Sequence, residues 1–220
     1  MPSATVENYV KNILALSLET DEELVGMGDV ARSLSVAPGT ATAMIKTLER
    51  NKLVRYKARR GVSLTAKGRK LGMGMLRRHR LLETFLVETL GLDWTEIHTE
   101  AEELEHALSD KVLDRLDQFL GRPEFDPHGD PIPTKAGALA KRRVRNLLEC
   151  RRNAPRTVKL VTDQSPDFLN FARRKGLVPG SSVEVLSRDL ASDAVEVRVG
   201  RSKPFSLGSK AAKKILVSRP

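Results

Sequence analysis

The 220-residue chain has a single cysteine, Cys150, so one chain can build neither a disulfide framework nor a cysteine-rich zinc knuckle. No apolar run approaches the roughly 20 residues that a membrane span needs. The amphipathic, acid-bearing start MPSATVENYVKNILALSLETDEE is unlike a signal peptide. The expectation is a soluble, reduced, cytoplasmic protein without a membrane partner. Also missing are a Gly-rich phosphate loop, an HExxH pair and a nucleophile elbow, patterns that carry catalytic chemistry. Nothing marks a small-molecule substrate pocket, and there is no internal repeat or low-complexity segment.

Hydrophobic residues make up 40% and charged residues 30%, an ordinary globular balance. Lys and Arg outnumber Asp and Glu by 38 to 28, and a basic surplus favours polyanions. Its distribution is uneven. Residues 1–78 carry a net +7, residues 79–150 a net −6 and residues 151–220 a net +9, which suggests three modules with different partners.

Val6, Tyr9, Val10, Ile13 and Leu14 recur at helical spacing, giving a first helix from Thr5 to Leu18. A second helix runs from Gly28 or Asp29 to Ser35, and a third starts at Pro38 and continues to Asn51. Two short helices joined by a tight turn form a helix-turn-helix. Directly after it, LVRYKARRGVSLT reads as a hairpin of Leu53 to Lys57 and Gly61 to Thr65, completing a winged helix. A generic three-helix unit is the bland alternative, but Arg55, Lys57, Arg59 and Arg60 cannot all be buried and lie beside the expected reading helix. Thr40 and Thr42 near the start of that helix are placed for base edges or phosphates, Lys46 for phosphate, and Arg59 and Arg60 for phosphate or the minor groove.

Helices are expected from Thr65 to about Gly91 and from Glu96 to Leu120, and KAGALAKRRVRNLLECRR reads as a strongly helical stretch, a short helix plus linker; GRPEFDPHGDPIP is a loop, and TVKLVTD, SSVEVLSRD, AVEVRVG and KKILVS are strands of a small barrel. On the acidic helix, His98, Glu102, Glu105 and His106 fall at i, i+4, i+7 and i+8, along one face. His79 and Glu83 form another i, i+4 pair on the preceding helix. Imidazoles and carboxylates converging from adjacent helices are what a divalent metal needs. A solvated acidic face with incidental histidines is the alternative.

The winged helix, the segment RRHRLLETFLVETLGLDWTEIHTEAEELEHALSD, the loop DPHGDPIP and the basic β-rich tail together resemble the diphtheria toxin repressor and manganese transport regulator family, metal-activated transcriptional repressors. The resemblance covers nearly the whole chain. It implies a mainly α protein with small β parts: a winged helix-turn-helix at 1–74, a helical dimerisation and metal-binding domain at 75–140, a linker at 141–155 and an SH3-like (FeoA-like) β-barrel at 156–220. It implies a primary metal site of Asn8, Glu102, Glu105 and His106, and an ancillary site of His79, Glu83 and His98. Asp163, Gln164 or Asp167 of DQSPDF stands where relatives lend ligands to the ancillary metal. Glu102 stands where iron-responsive members carry cysteine, and hard carboxylates favour Mn²⁺, with Fe²⁺ the alternative and other divalent metals able to bind in vitro. Lys11 stands where some manganese regulators have a metal-bridging glutamate, so a separate primary and ancillary pair is expected instead of a closely spaced binuclear site.

The function expected is a metal-dependent repressor of metal-homeostasis genes, and not an enzyme. It would bind a double-stranded, palindromic operator as a homodimer, with Leu86, Val87, Leu90, Leu92, Trp94 and Leu113 as seam or core candidates. A metalloenzyme and a metal-independent winged-helix regulator are the competing readings.

Overall fold

Ser3 starts the first helix: its Oγ accepts from the Val6 N–H, and α1 runs Ala4–Thr20 before Asp21 ends it in the left-handed region. The computed structural model describes residues 3–141, 143–189 and 191–219. Helix α2 (Met27–Ser33) and helix α3 (Pro38–Arg50) follow, Pro38 occupying the first turn of α3, where its missing N–H costs nothing. Val10, Ile13, Val30, Ala41, Ile45 and Leu48 bury one face of each helix in a common core with Leu53, Val54 and Val62. The last three bring in the hairpin, β1 (Val54–Lys57) and β2 (Gly61–Leu64), paired antiparallel from Val54↔Leu64 to Lys57↔Gly61. Val25 and Val62 exchange both backbone hydrogen bonds at 2.9 Å, so the hairpin is pinned to the segment entering α2.

Helix α4 (Ala66–Glu88) begins where Thr65 Oγ1 accepts from the Gly68 N–H at 3.1 Å. The chain divides into two compact units whose boundary falls within α4: the first takes residues up to His79 with 105–108 and 133–139, the second takes 80–104, 109–132 and residues from 140 onward. In the second unit, α5 (Ile97–Leu104) and α6 (Asp110–Phe119) are separate helices, where one continuous helix from Glu96 to Leu120 was expected. Ser109 is the reason. Its side chain accepts from the Val112 N–H and starts a new helix, the backbone competition that serine offers. Glu105 and His106 therefore lie in a turn, not on a helix face.

The stretch expected to be helical up to Arg152 is not. Gly137 takes a left-handed φ of 82°, β3 (Val144–Asn146) pairs with the chain's last strand, and a 3-10 turn covers Leu147–Glu149; Arg142 lies outside the described residues. Strand pairing overrides the local helical preference. The C-terminal sheet adds β4 (Arg156–Val161), β5 (Ser182–Asp189), β6 (Ala194–Val199), β7 (Phe205–Gly208) and β8 (Ile215–Ser218) in the order β3-β8-β4-β5-β6-β7. Two helices, α7 (Pro166–Arg174) and α8 (Ser209–Lys213), complete this part and were not anticipated. The four expected strands are present, but among the described residues β3 and β7 stay unpaired edges and the sheet is not a closed barrel. No helix among the described residues is long and apolar enough to cross a membrane.

Two glycines of α4 separate packing from propensity. A Cβ on Gly68 would lie 2.0 Å from the Leu53 carbonyl oxygen, whereas one on Gly74 meets nothing within 4 Å. Gly68→Ala is expected to cost about 1–3 kcal/mol, since the obstacle is backbone. Gly74→Ala should stabilise by about 0.4–1 kcal/mol through the unfolded chain. Urea unfolding followed by circular dichroism checks both signs.

Candidate metal centre and nucleic-acid interface

In the first unit, Glu7 and Lys11 stand one turn apart on α1 and both are buried, a placement that requires partners. Glu105, wholly buried in the turn after α5, places Oε1 2.7 Å from Lys11 Nζ and Oε2 2.9 Å from His79 Nδ1. Burial pushes the Glu105 carboxyl up, but the His79 hydrogen bond and the Lys11 and His79 charges outweigh it and hold the group below its ordinary value. His106 Nδ1 lies 2.8 Å from Glu7 Oε2. A carboxylate only accepts, so Nδ1 carries the proton and, in the neutral ring, Nε2 is a bare lone pair. That Nε2 is buried without a hydrogen-bond partner and sits 3.6 Å from Glu105 Oε1; Asn8 Oδ1 is likewise buried without a partner. An unsatisfied imidazole nitrogen beside a carboxylate oxygen is a donor pair suited to a divalent cation, and Asn8 Oδ1 is a further unsatisfied oxygen in the same unit. Glu7, which the sequence reading missed, orients His106 as carboxylates orient metal-binding imidazoles.

In the second unit, Glu83 of α4 lies 3.4 Å from His98 Nδ1, and His98 Nε2 is 3.8 Å from Glu102 Oε1 one turn along α5. Glu83 also belongs to a buried group with Asp126 and His128, whose ligand atoms all lie within 4.8 Å of one another. Asp126 Oδ1 accepts from the backbone N–H groups of His128, Gly129 and Asp130 at 2.9–3.0 Å. Its Oδ2 has no hydrogen-bond partner and stands 3.5 Å from Arg80 Nε. Burial, then the charges of Glu83 and Asp130, push the Asp126 carboxyl well above its ordinary value, against the pull of Arg80. His128 Nε2 lies 2.9 Å from the Trp94 carbonyl oxygen, so it carries the proton and leaves a buried Nδ1 without a partner. The sequence reading used Asp126 and His128 only as part of a loop signature. No periodicity links them to Glu83; the loop does.

Of the residues expected to lend ligands from the C-terminal part, Gln164 Nε2 donates to Asp130 Oδ2 at 2.8 Å, and Asp163 is paired with Lys214. Asp167 is exposed in the first turn of α7. Neither aspartate enters a ligand cluster found among the described residues.

Thr40 and Lys46 are exposed on α3, and Arg59 and Arg60 at the hairpin tip, where Arg59 takes a φ of 62°. Thr42 is half-buried and its hydroxyl donates to the Pro38 carbonyl at 2.8 Å, which leaves it only acceptor capacity towards a ligand. Of the expected seam, Leu86 and Leu113 are buried and Trp94 packs on the C-terminal core and against His128. Val87 and Leu92 are half-buried, and Leu90 is exposed, as are Leu104, Val112 and Phe119.

A winged helix whose own unit carries an unsatisfied metal-type donor set defines a metal-responsive DNA-binding regulator. Residues 1–62 match the iron dependent repressor N-terminal DNA binding domain, residues 65–134 the iron dependent repressor metal binding and dimerisation domain, and residues 145–219 the FeoA domain. The chain is 37% identical over 186 residues to the iron-dependent repressor IdeR of Mycobacterium tuberculosis, covering 84% of this chain and 71% of the relative. It is 32% identical to the Mycobacterium leprae IdeR, covering 82% and 83%. A solved manganese-dependent transcriptional repressor in complex with manganese superposes with a TM-score of 0.86 at 36% identity, covering 97% of this chain and 99% of that one. The chain belongs to the iron-dependent repressor family, metal-dependent DNA-binding transcriptional repressors that are not enzymes.

The raised Asp126 carboxyl has a stability consequence. Between its ordinary value and its raised value the folded state binds more protons than the unfolded one, so its contribution to stability falls as pH rises through that window. Asp126→Asn is therefore expected to raise the thermal midpoint of chelator-treated protein at pH 7.5, with the gain shrinking as pH is lowered towards the carboxylate range. Paired thermal melts of wild type and variant check it.

Proposed function

We propose that the protein is a manganese-responsive repressor of metal-homeostasis genes, binding a palindromic operator as a homodimer. The primary ligand set is Asn8, Glu102, Glu105 and His106; the ancillary set is His79, Glu83 and His98, with Asp126 and His128 as further donors beside Glu83. The observation that carries this reading is the buried, partnerless His106 Nε2, aimed by Glu7 in the same unit as the winged helix. Oxygen donors dominate the primary set, and Cys150 is buried in the C-terminal core, so no thiolate is offered and hard Mn²⁺ is favoured. Iron is the second reading, because the mycobacterial relatives are named iron-dependent repressors.

A bound divalent cation would take the bare lone pairs of His106 Nε2 and Asn8 Oδ1 and add positive charge beside Glu105. Glu105 and His106 sit on the turn that connects α5 to α6, while Glu7, Asn8 and Lys11 sit on α1. Holding both rows of donors fastens that turn to the helix on which α2 and α3 pack. Exposed Leu90, Val112 and Phe119 supply the apolar seam of the homodimer. The functional division follows residues 1–74, 75–140, 141–155 and 156–220.

The test is a DNA titration in chelator, then with Mn²⁺, Fe²⁺ or Zn²⁺ restored. Binding should tighten with metal, Mn²⁺ most at physiological levels, and operator DNA must tighten metal binding by the same factor. His106→Ala should abolish metal-stimulated binding while leaving the circular dichroism spectrum and weak non-specific binding in place. Equal operator affinity in excess chelator would overturn the reading. Separately, Arg60→Ala should weaken binding to all sequences alike and reduce the salt slope by about 1.

A further inference from the structure

The primary cluster already contains a cation. Lysines on a helix surface normally extend their stems and keep the ammonium in water, yet Lys11 is 8% exposed and its Nζ lies 2.7 Å from a carboxylate that is fully buried. The other Glu105 oxygen is occupied by His79, and Lys11 Nζ also comes within 3.4 Å of His79 Nδ1. The Glu83, Asp126 and His128 group is built differently: its nearest arginine, Arg80, stands 3.5 Å from Asp126 and is shared with Asp130.

We propose that Lys11 is a tethered counter-cation of the primary metal site that sets its affinity. Three carboxylates, Glu7, Glu105 and the proposed ligand Glu102, are set against one ammonium, so with neutral imidazoles the site carries two negative charges. One divalent cation balances them, but it must do so beside an ammonium in a site with little water to screen the two from each other. Metal entry has to share or take Glu105 from Lys11, so the ammonium weakens binding and raises the metal concentration at which the site fills. Lys11 is thus a threshold residue that binds no metal itself.

This inference rests on the proposed metal role of the cluster, and calorimetric Mn²⁺ titration of the full-length, metal-stripped protein tests the two separately. The site is identified as the binding lost in His106→Ala. Removing the charge in Lys11→Met should tighten that binding by roughly tenfold or more, and Lys11→Arg, which keeps the charge, should change it by less than about threefold. The gain should vanish in the Lys11→Met, His106→Ala double variant. If Lys11→Met does not fold without metal, Lys11→Gln, whose amide can still donate to Glu105, should shift affinity in the same direction. Unchanged or weaker binding in a folded, uncharged variant, or an equal gain in Lys11→Arg, overturns the Lys11 proposal. Wild type with no Mn²⁺ binding sensitive to His106→Ala overturns the site reading instead.

Discussion

Glu105 is a carboxylate without water around it, held in a turn by an ammonium from α1 and an imidazole from α4. An unpaired buried charge is so unfavourable that the group would otherwise neutralise or the turn would open. The arrangement of the first unit follows from this. The short stretch of residues 105–108 belongs with the winged helix although its flanking helices α5 and α6 do not, because its polar side chains find their partners on α1 and α4. The same condition puts Glu7 beneath His106 and leaves Asn8 Oδ1 and His106 Nε2 with nothing to bond.

Both clusters prepare an imidazole in the same way. One ring nitrogen is given an acceptor that cannot donate, Glu7 for His106 and the Trp94 carbonyl for His128, and the other is left buried and bare. Fixing the tautomer in advance removes a rotational and protonic cost from ligand capture. The clusters differ in where their cations stand: Lys11 lies 2.7 Å from Glu105, whereas Arg80 keeps 3.5 Å from Asp126, and a buried carboxylate is most demanding when no cation is close.

The winged helix was legible in the sequence because its signals are local: Pro38 at a helix start, alternation through Val54 and Val62, and a charged turn at Arg59 and Arg60. The proposed metal ligands can be picked out of the sequence by residue type, but their geometry cannot. His98 and Glu102 do lie one turn apart on α5, but Glu105 and His106 were placed on that helix by counting, and Ser109 interrupts it. Asp126 and His128 were opaque because loops have no period, and their meeting with Glu83 is a long-range contact. The stretch before Cys150 failed for the opposite reason: strong helix formers there take strand and 3-10 geometry to complete the sheet edge against β8, a tertiary demand that local propensity cannot report.

The basic C-terminal part reaches the second cluster through its supporting loop instead of through ligands of its own. The Val161 N–H of β4 donates to the His128 carbonyl, Gly129 lies under the Lys159 carbonyl where no side chain would fit, and Gln164 holds Asp130, which in turn faces Arg80. Trp94 closes the arrangement, stacking on His128 while packing on the core of the sheet. Three consecutive loop amides are thereby aimed at Asp126 Oδ1. A loop alone would pay conformational entropy each time it gathered those donors. Held by the sheet, the loop keeps Asp126 and His128 beside Glu83, an arrangement that would lower the reorganisation any cation bound there requires.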